Sequence, residues 1–197
     1  MGGVFYWPPI RRSAPMSEFD FAQLQADLES ASRLALLQIA KAHPEETLCS
    51  FALYSDCGAM TACIASNTRS HQQRHQAENP DDQAYYKFSP AEWRFEGQGA
   101  DQEIGQICTR LRERALDIED DPGFGAFRDQ LYQTCVQALE NLRNQGVFSG
   151  FGEDFLLVFA VSDDDPDPAV ELANLSRLNS PATVEEYKAW QATWARQ

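Results

Sequence analysis

His71 and His75 are the first residues whose types and spacing could do chemistry, because an interval of four puts both imidazoles on one helical face, as a zinc site requires. Between them stand Gln72, Gln73 and Arg74, without the glutamate that a hydrolytic zinc site uses as its base. The segment therefore reads as a solvated polar helix, and no metal is expected there. His43 falls at a helix end, where a cation complements the dipole. The run Asp163, Asp164, Asp165, Pro166, Asp167 has the alternating acids of a calcium loop, but Pro168 stands where the turn glycine belongs and Asn174 where a bidentate glutamate belongs. Five cysteines at irregular spacings, with no C-x-x-C, form neither a disulfide framework nor a zinc site. Cys49, Cys63, Cys108 and Cys135 have apolar neighbours and read as small core residues, whereas Cys57 sits in the turn Asp56, Cys57, Gly58 without a base beside it. Ser149 to Gly152 is glycine-rich but leads into a strand, whereas phosphate cradles lead into a helix, and no G-x-S-x-G is present. No arrangement assigns a catalytic acid, base and nucleophile together, so no catalytic residue and no cofactor is predicted. The dense aromatics Tyr85, Tyr86, Phe88, Trp93 and Phe95 read first as core; as an alternative, Tyr85, Tyr86, Glu92 and Trp93 would floor a ligand pocket.

The elements that must position these residues follow from periodicity. Phe21, Leu24, Leu28, Ala31, Ala35 and Ile39 recur at intervals of three and four and predict a helix over 17–43, with Ser17 as its cap and Pro44 ending it. Two apolar runs around the Asp56 turn predict a β-hairpin over 47–66, and Asn67 and Thr68 open a polar segment. Residues 85–88 are expected as a short strand, and Ser89, Pro90, Ala91, Glu92 as a helix start with Trp93 just inside it. Amphipathic helices are predicted over 102–118 and from Phe127 to near Gly146. The unbroken run FLLVFAV at 155–161 predicts a strand buried on both faces. Asp167 and Pro168 begin a helix through Leu172, Leu175 and Leu178, and Thr183 to Glu186 form a capping box for a last helix carrying Tyr187, Trp190 and Trp194. This order predicts a single α+β domain over 16–197, with one mainly antiparallel sheet of four or five strands covered by helices. Residues 1–15, with two arginines and no acid, read as a flexible tail, and Met16 is a candidate natural start.

Composition limits the function classes. The 197 residues carry a formal charge of −14, and since the first 15 contribute +2, the remainder carries −16. Such a surplus repels nucleic acid and anionic membrane alike, so neither is an expected partner. No run approaches the ~20 apolar residues of a membrane span, and no secretory apolar segment opens the chain, so the expected address is the cytoplasm. Residues 150–178 hold seven acids against the single base Arg177, which makes this the most acidic surface candidate.

Tyr85 to Trp93, YYKFSPAEW, resembles the bacterial family known as domain of unknown function 4303, whose members carry a tyrosine pair, an aromatic and S-P-A-E-W. The strand Phe51 to Tyr54, Asn67 and Thr68, Gly146 and Phe148, Val161 to Asp163, and Leu178 with Asn179 extend the likeness over most of residues 17–180. The resemblance carries no established activity. It implies a setting beside secreted polymorphic toxins and type VI secretion genes, among small acidic immunity proteins. Combined with the charge, it predicts an immunity or antitoxin protein that covers a basic cognate toxin, with Glu153, Asp154, Asp163, Asp164 and Asp165 as contacts and the run Glu119 to Asp121 as a weaker candidate. The rival expectation is a small enzyme or ligand-binding protein using the pocket beside YYKFSPAEW.

Overall fold

The computed structural model describes residues 19–119, 122–163 and 167–194. The expected tail, Met16, Ser17, Asp120, Asp121, Asp164 and Asp165 lie outside the described residues.

The first helix, α1 (Phe21–Ala42), buries Leu24, Leu28, Ala31, Ala35 and Ile39 along one stripe, and its cap is Asp20, whose carboxylate accepts from the Gln23 amide at 2.9 Å. His43 ends it as expected and stacks on Phe95, ring centres 4.6 Å apart. The hairpin pairs β1 (Leu48–Asp56) with β2 (Cys63–Thr68) antiparallel. Asp56 organises its turn, accepting from Ala59 N through its carbonyl and from Met60 N through its carboxylate. Asn67 and Thr68 do not open the polar segment: both are fully buried at the end of β2, and Thr68 caps α2 (Arg69–Glu78).

Residues 85–88 are helical, not a strand. They belong to α3 (Gln83–Phe88), and a single 3₁₀ turn at Pro90–Glu92 follows, with Trp93 extended just beyond it. Three aromatic residues among four, Tyr85, Tyr86 and Phe88, satisfy a period of two and a period of three equally, and here Phe88 is buried while Tyr86 packs against His75 of α2. A two-residue strand, β3 (Phe95–Glu96), then pairs with β2. Gly99 follows at φ +91°, where a Cβ would come within 2.9 Å of the Ala35 backbone, so the chain passes over α1 at a distance only glycine permits.

Two long helices, α4 (Asp101–Ile118) and α5 (Phe124–Asn144), lead to β4 (Leu156–Ser162), which is followed by α6 (Pro168–Leu178) and α7 (Pro181–Trp194). Asp167 caps α6 as expected, but α7 begins earlier than Thr183: the Ser180 carbonyl accepts from Val184 N, and its hydroxyl from Thr183 N at 3.4 Å.

The strand order is β3-β2-β1-β4. The sheet is mixed, because β4 runs parallel to β1, from Ser50 opposite Leu156 to Asp56 opposite Ser162. The crossover through α4 and α5 returns the chain to the end of the sheet where β1 begins, which a hairpin cannot do. Alternation divides the sheet between two cores. Phe51, Leu53, Ile64, Phe95 and Leu157 pack with α1, α4 and α5, while Ala52, Ala65, Leu156 and Val158 face Phe88, Trp93, Leu175 and Tyr187. The fold is therefore a single α+β domain with helices on both faces of a four-stranded sheet. β4 is buried on both faces only in its first half, because the stretch Phe159–Val161 is half-exposed at the sheet edge.

Candidate functional site

On the second face of the sheet the helices cover Ala52 and Ala65 completely but do not close over the outer half of β4, where Ala160 is only half-buried. A cavity of about 590 Å³ remains. Its floor is Tyr54 of β1 and the Val158 to Ser162 stretch of β4; one wall is Tyr85, Phe88 and the Pro90 turn, and the other is Glu171 and Leu175 of α6 with Tyr187, Trp190 and Trp194 of α7. Glu96 of β3 sits at the rim. The size lies within the roughly 300–1,000 Å³ typical of small-ligand sites.

The aromatic rings of α7 stand at right angles. Trp190 and Trp194 have centres 4.9 Å apart at 88°, and Tyr187 meets Trp190 at 76°. Spacings of three and four place all three on one helical face, while Phe88 stacks on Trp190 at 17°. Two carboxylates complete the lining. The Tyr187 hydroxyl donates to Glu171 at 3.0 Å, and the Tyr54 hydroxyl donates to Glu96. Burial pushes the Glu171 carboxyl above its ordinary range, with the Tyr187 bond opposing it. Both phenols are raised, first by burial and then by the carboxylate each one faces. No Lys, Arg or His lines this cavity among the described residues, and neither carboxylate has an ion-pair partner there.

Of the four residues expected to floor a pocket, Tyr85 is on the wall, 40% exposed, with its hydroxyl donating to Glu92 Oε1 at 2.9 Å. Glu92 stands behind it, and Trp93 is buried in the second core with its indole N–H lacking a partner among the described residues. Tyr86 faces His75, ring centres 5.1 Å apart. The S-P-A-E-W turn thus supports the cavity wall and ties the end of α3 to α2 and to the sheet: the Glu92 carbonyl contacts His71 Nε2 of α2 at 3.1 Å, and Asn67 Oδ1 of β2 accepts from Arg94 N at 3.3 Å. The other residues that carry the resemblance also fix the frame. Asn179 holds the outer edge of β4, accepting from Leu157 N at 2.9 Å and donating to Leu157 O at 2.7 Å, while Gly146 turns at φ +74° and Phe148 is buried.

The acids expected to meet a partner are not one patch. Glu153 and Asp154 lie exposed before β4 and Asp163 lies exposed after it, so the two groups are separated by the length of the strand, roughly 20 to 25 Å. Asp163 adopts φ 63°, ending β4. His71 and His75 touch each other, ring centres 4.3 Å apart, and burial lowers the His71 pKa. Cys49 and Cys135 are buried and Cys57 is exposed at the hairpin tip, whereas Cys63 and Cys108 are only half-buried, the Cys108 thiol donating to Ala62 O at 3.7 Å, which corrects their reading as simple core.

Sequence reasoning missed Tyr54, Glu96 and Glu171. Its one usable signal was Tyr187, Trp190 and Trp194 on a single face of an otherwise polar helix, a stripe too aromatic for an exposed surface. A family model described as Domain of unknown function (DUF4303) matches residues 28–180. No curated protein and no solved structure matches the chain.

Proposed function

The chain belongs to the family of domain of unknown function 4303, and from that membership we propose that it is a cytoplasmic immunity-type protein that neutralises a cognate basic toxin by covering its active surface. The observation that carries this reading is the charge of −14, with acids exposed at both ends of the edge strand β4. A complementary negative surface speeds encounter with a basic partner and disfavours neutral or acidic ones. Because Glu153 and Asp154 are remote from Asp163, these acids act as dispersed charges that steer more than they anchor. Among the described residues no helix is long and apolar enough to cross a membrane.

The test is co-expression with the product of the adjacent gene. A nanomolar complex whose association rate falls steeply with added salt supports the proposal, as does rescue of cells from that product's toxicity. A non-toxic neighbour, or a complex indifferent to salt, overturns it. The second reading, a small-ligand protein, is favoured by the 590 Å³ cavity beside the YYKFSPAEW segment.

A further inference from the structure

We propose that the cavity between α3 and α7 is a socket for an organic cation, an alkylammonium or guanidinium group on an apolar stem. Three properties of the lining select this chemistry. The first is ring geometry: Tyr187, Trp190 and Trp194 all line the cavity, with Trp190 and Trp194 meeting at 88° and Tyr187 and Trp190 at 76°, so the wall offers aromatic surface in more than one orientation. A cation is held over such faces by the ring quadrupole, most strongly over tryptophan, and more tightly where water is excluded. The second is charge: Glu171 stands within the wall and Glu96 at the rim, each oriented by a tyrosine hydroxyl and neither paired with a base among the described residues. The third is the apolar part of the lining, Val158, Leu175 and Phe88, which suits a stem rather than a hydrated metal ion.

A neutral aromatic ligand would leave two carboxylates facing it, and an anion would be repelled by both. Burial already pushes the Glu171 carboxyl upward, so a cation arriving beside it relieves a cost the folded protein otherwise carries.

One chemistry has two sources. If the proposed function holds, the group is a lysine or arginine side chain of the toxin, and the socket supplies the anchor that the dispersed acids do not. If it fails, the group is a free small amine or guanidine.

Butylguanidinium and butylammonium are titrated into the full chain, following the indole N–H resonances of Trp190 and Trp194, with n-butanol as the neutral control. Saturable shifts are expected for both cations and not for butanol. Glu171→Gln retains an acceptor for the Tyr187 hydroxyl while removing the charge, and is expected to weaken cation binding at least tenfold. Glu96→Gln, at the exposed rim, is expected to weaken it several-fold and serves if the first variant does not fold. Butanol binding as well as the cations, or both glutamine variants binding like the parent chain, overturns the proposal, as does failure of either cation to saturate. The source is read from the adjacent gene's product. If its complex weakens with Glu171→Gln and is displaced by butylguanidinium, the socket takes a side chain. If no neighbouring product binds and the small cations still do, the toxin reading fails and the socket stands as a small-molecule site.

Discussion

Replacing Asn179 by alanine tests how the edge of the sheet is closed, and the structure sets the size of the effect. The Asn179 amide satisfies both backbone groups of Leu157 that face away from β1, accepting from its N–H at 2.9 Å and donating to its carbonyl at 2.7 Å, and it also donates to Leu175 O at 3.1 Å. Leu157 is fully buried, so truncation leaves a donor and an acceptor without protein partners in a place water enters with difficulty. Each buried group left unsatisfied costs about 1 to 3 kcal/mol. Asn179 is itself half-buried, so partial hydration keeps the sum near the lower half of that range, about 3 kcal/mol for the pair. For a domain of this length that corresponds to a fall in Tm of roughly 6 to 12 °C. Urea unfolding with an unchanged slope would supply the free energy, and amide exchange at Leu157 would locate it. Asn179→Asp separates the two halves of the argument. It keeps the acceptor for Leu157 N–H but turns a carboxylate toward two carbonyl oxygens, so it should be at least as destabilising at pH 7 and should recover as acid protonates the introduced carboxyl. A loss below about 1 kcal/mol with Leu157 still protected from exchange would refute the reasoning.

Further expectations concern the close approach, the buried acid and the thiols. Gly99→Ala should destabilise by about 2 to 4 kcal/mol, because a Cβ there meets Ala35 at 2.9 Å in a left-handed backbone; Gly105→Ala, on an open helix surface, should not, and chemical denaturation of both variants checks the difference. The Glu171 carboxyl is raised in the folded state, so folding favours its protonated form, and the stabilisation this gives is complete below the ordinary glutamate value of 4.5 and lost as pH rises through the raised value. Glu171→Gln should therefore be more stable than the parent chain at pH 7 and lose that advantage in acid, as read by melting temperature against pH. Under native conditions a maleimide should label Cys57 first, Cys63 and Cys108 slowly, and Cys49 and Cys135 only on unfolding, as peptide mass spectrometry would show.

The parts of the fold legible in the sequence are those where one local period is unopposed. The stripe from Leu24 to Ile39, the hairpin about Asp56 and the cap at Asp167 each rest on contacts within a few residues, and each appears where it was expected. The segment Tyr85 to Phe88 is helical where a strand is expected, because its three aromatics fit both periods and the choice falls to packing partners far along the chain, Tyr187 and Trp190 for Phe88. The site was less legible than the fold. The YYKFSPAEW segment marks the neighbourhood, yet only Tyr85, Phe88 and the Ser89 to Ala91 turn line the cavity, because the helical turn sends Tyr86 toward α2 and Trp93 into the core.

By itself the sequence determined the acidic charge, the main helices, the hairpin and the existence of strand β4, all of which depend on residue type and short spacing. Only the tertiary structure decided that β4 lies parallel to β1, that Glu96 and Glu171 share one cavity with the rings of α7, and that the acids before and after β4 are held apart. Strand direction depends on the route of the crossover through α4 and α5, and the cavity depends on residues of three strands and three separate helices meeting on one face of the sheet. No local pattern encodes either, because both are consequences of which surfaces remain uncovered once the chain has packed.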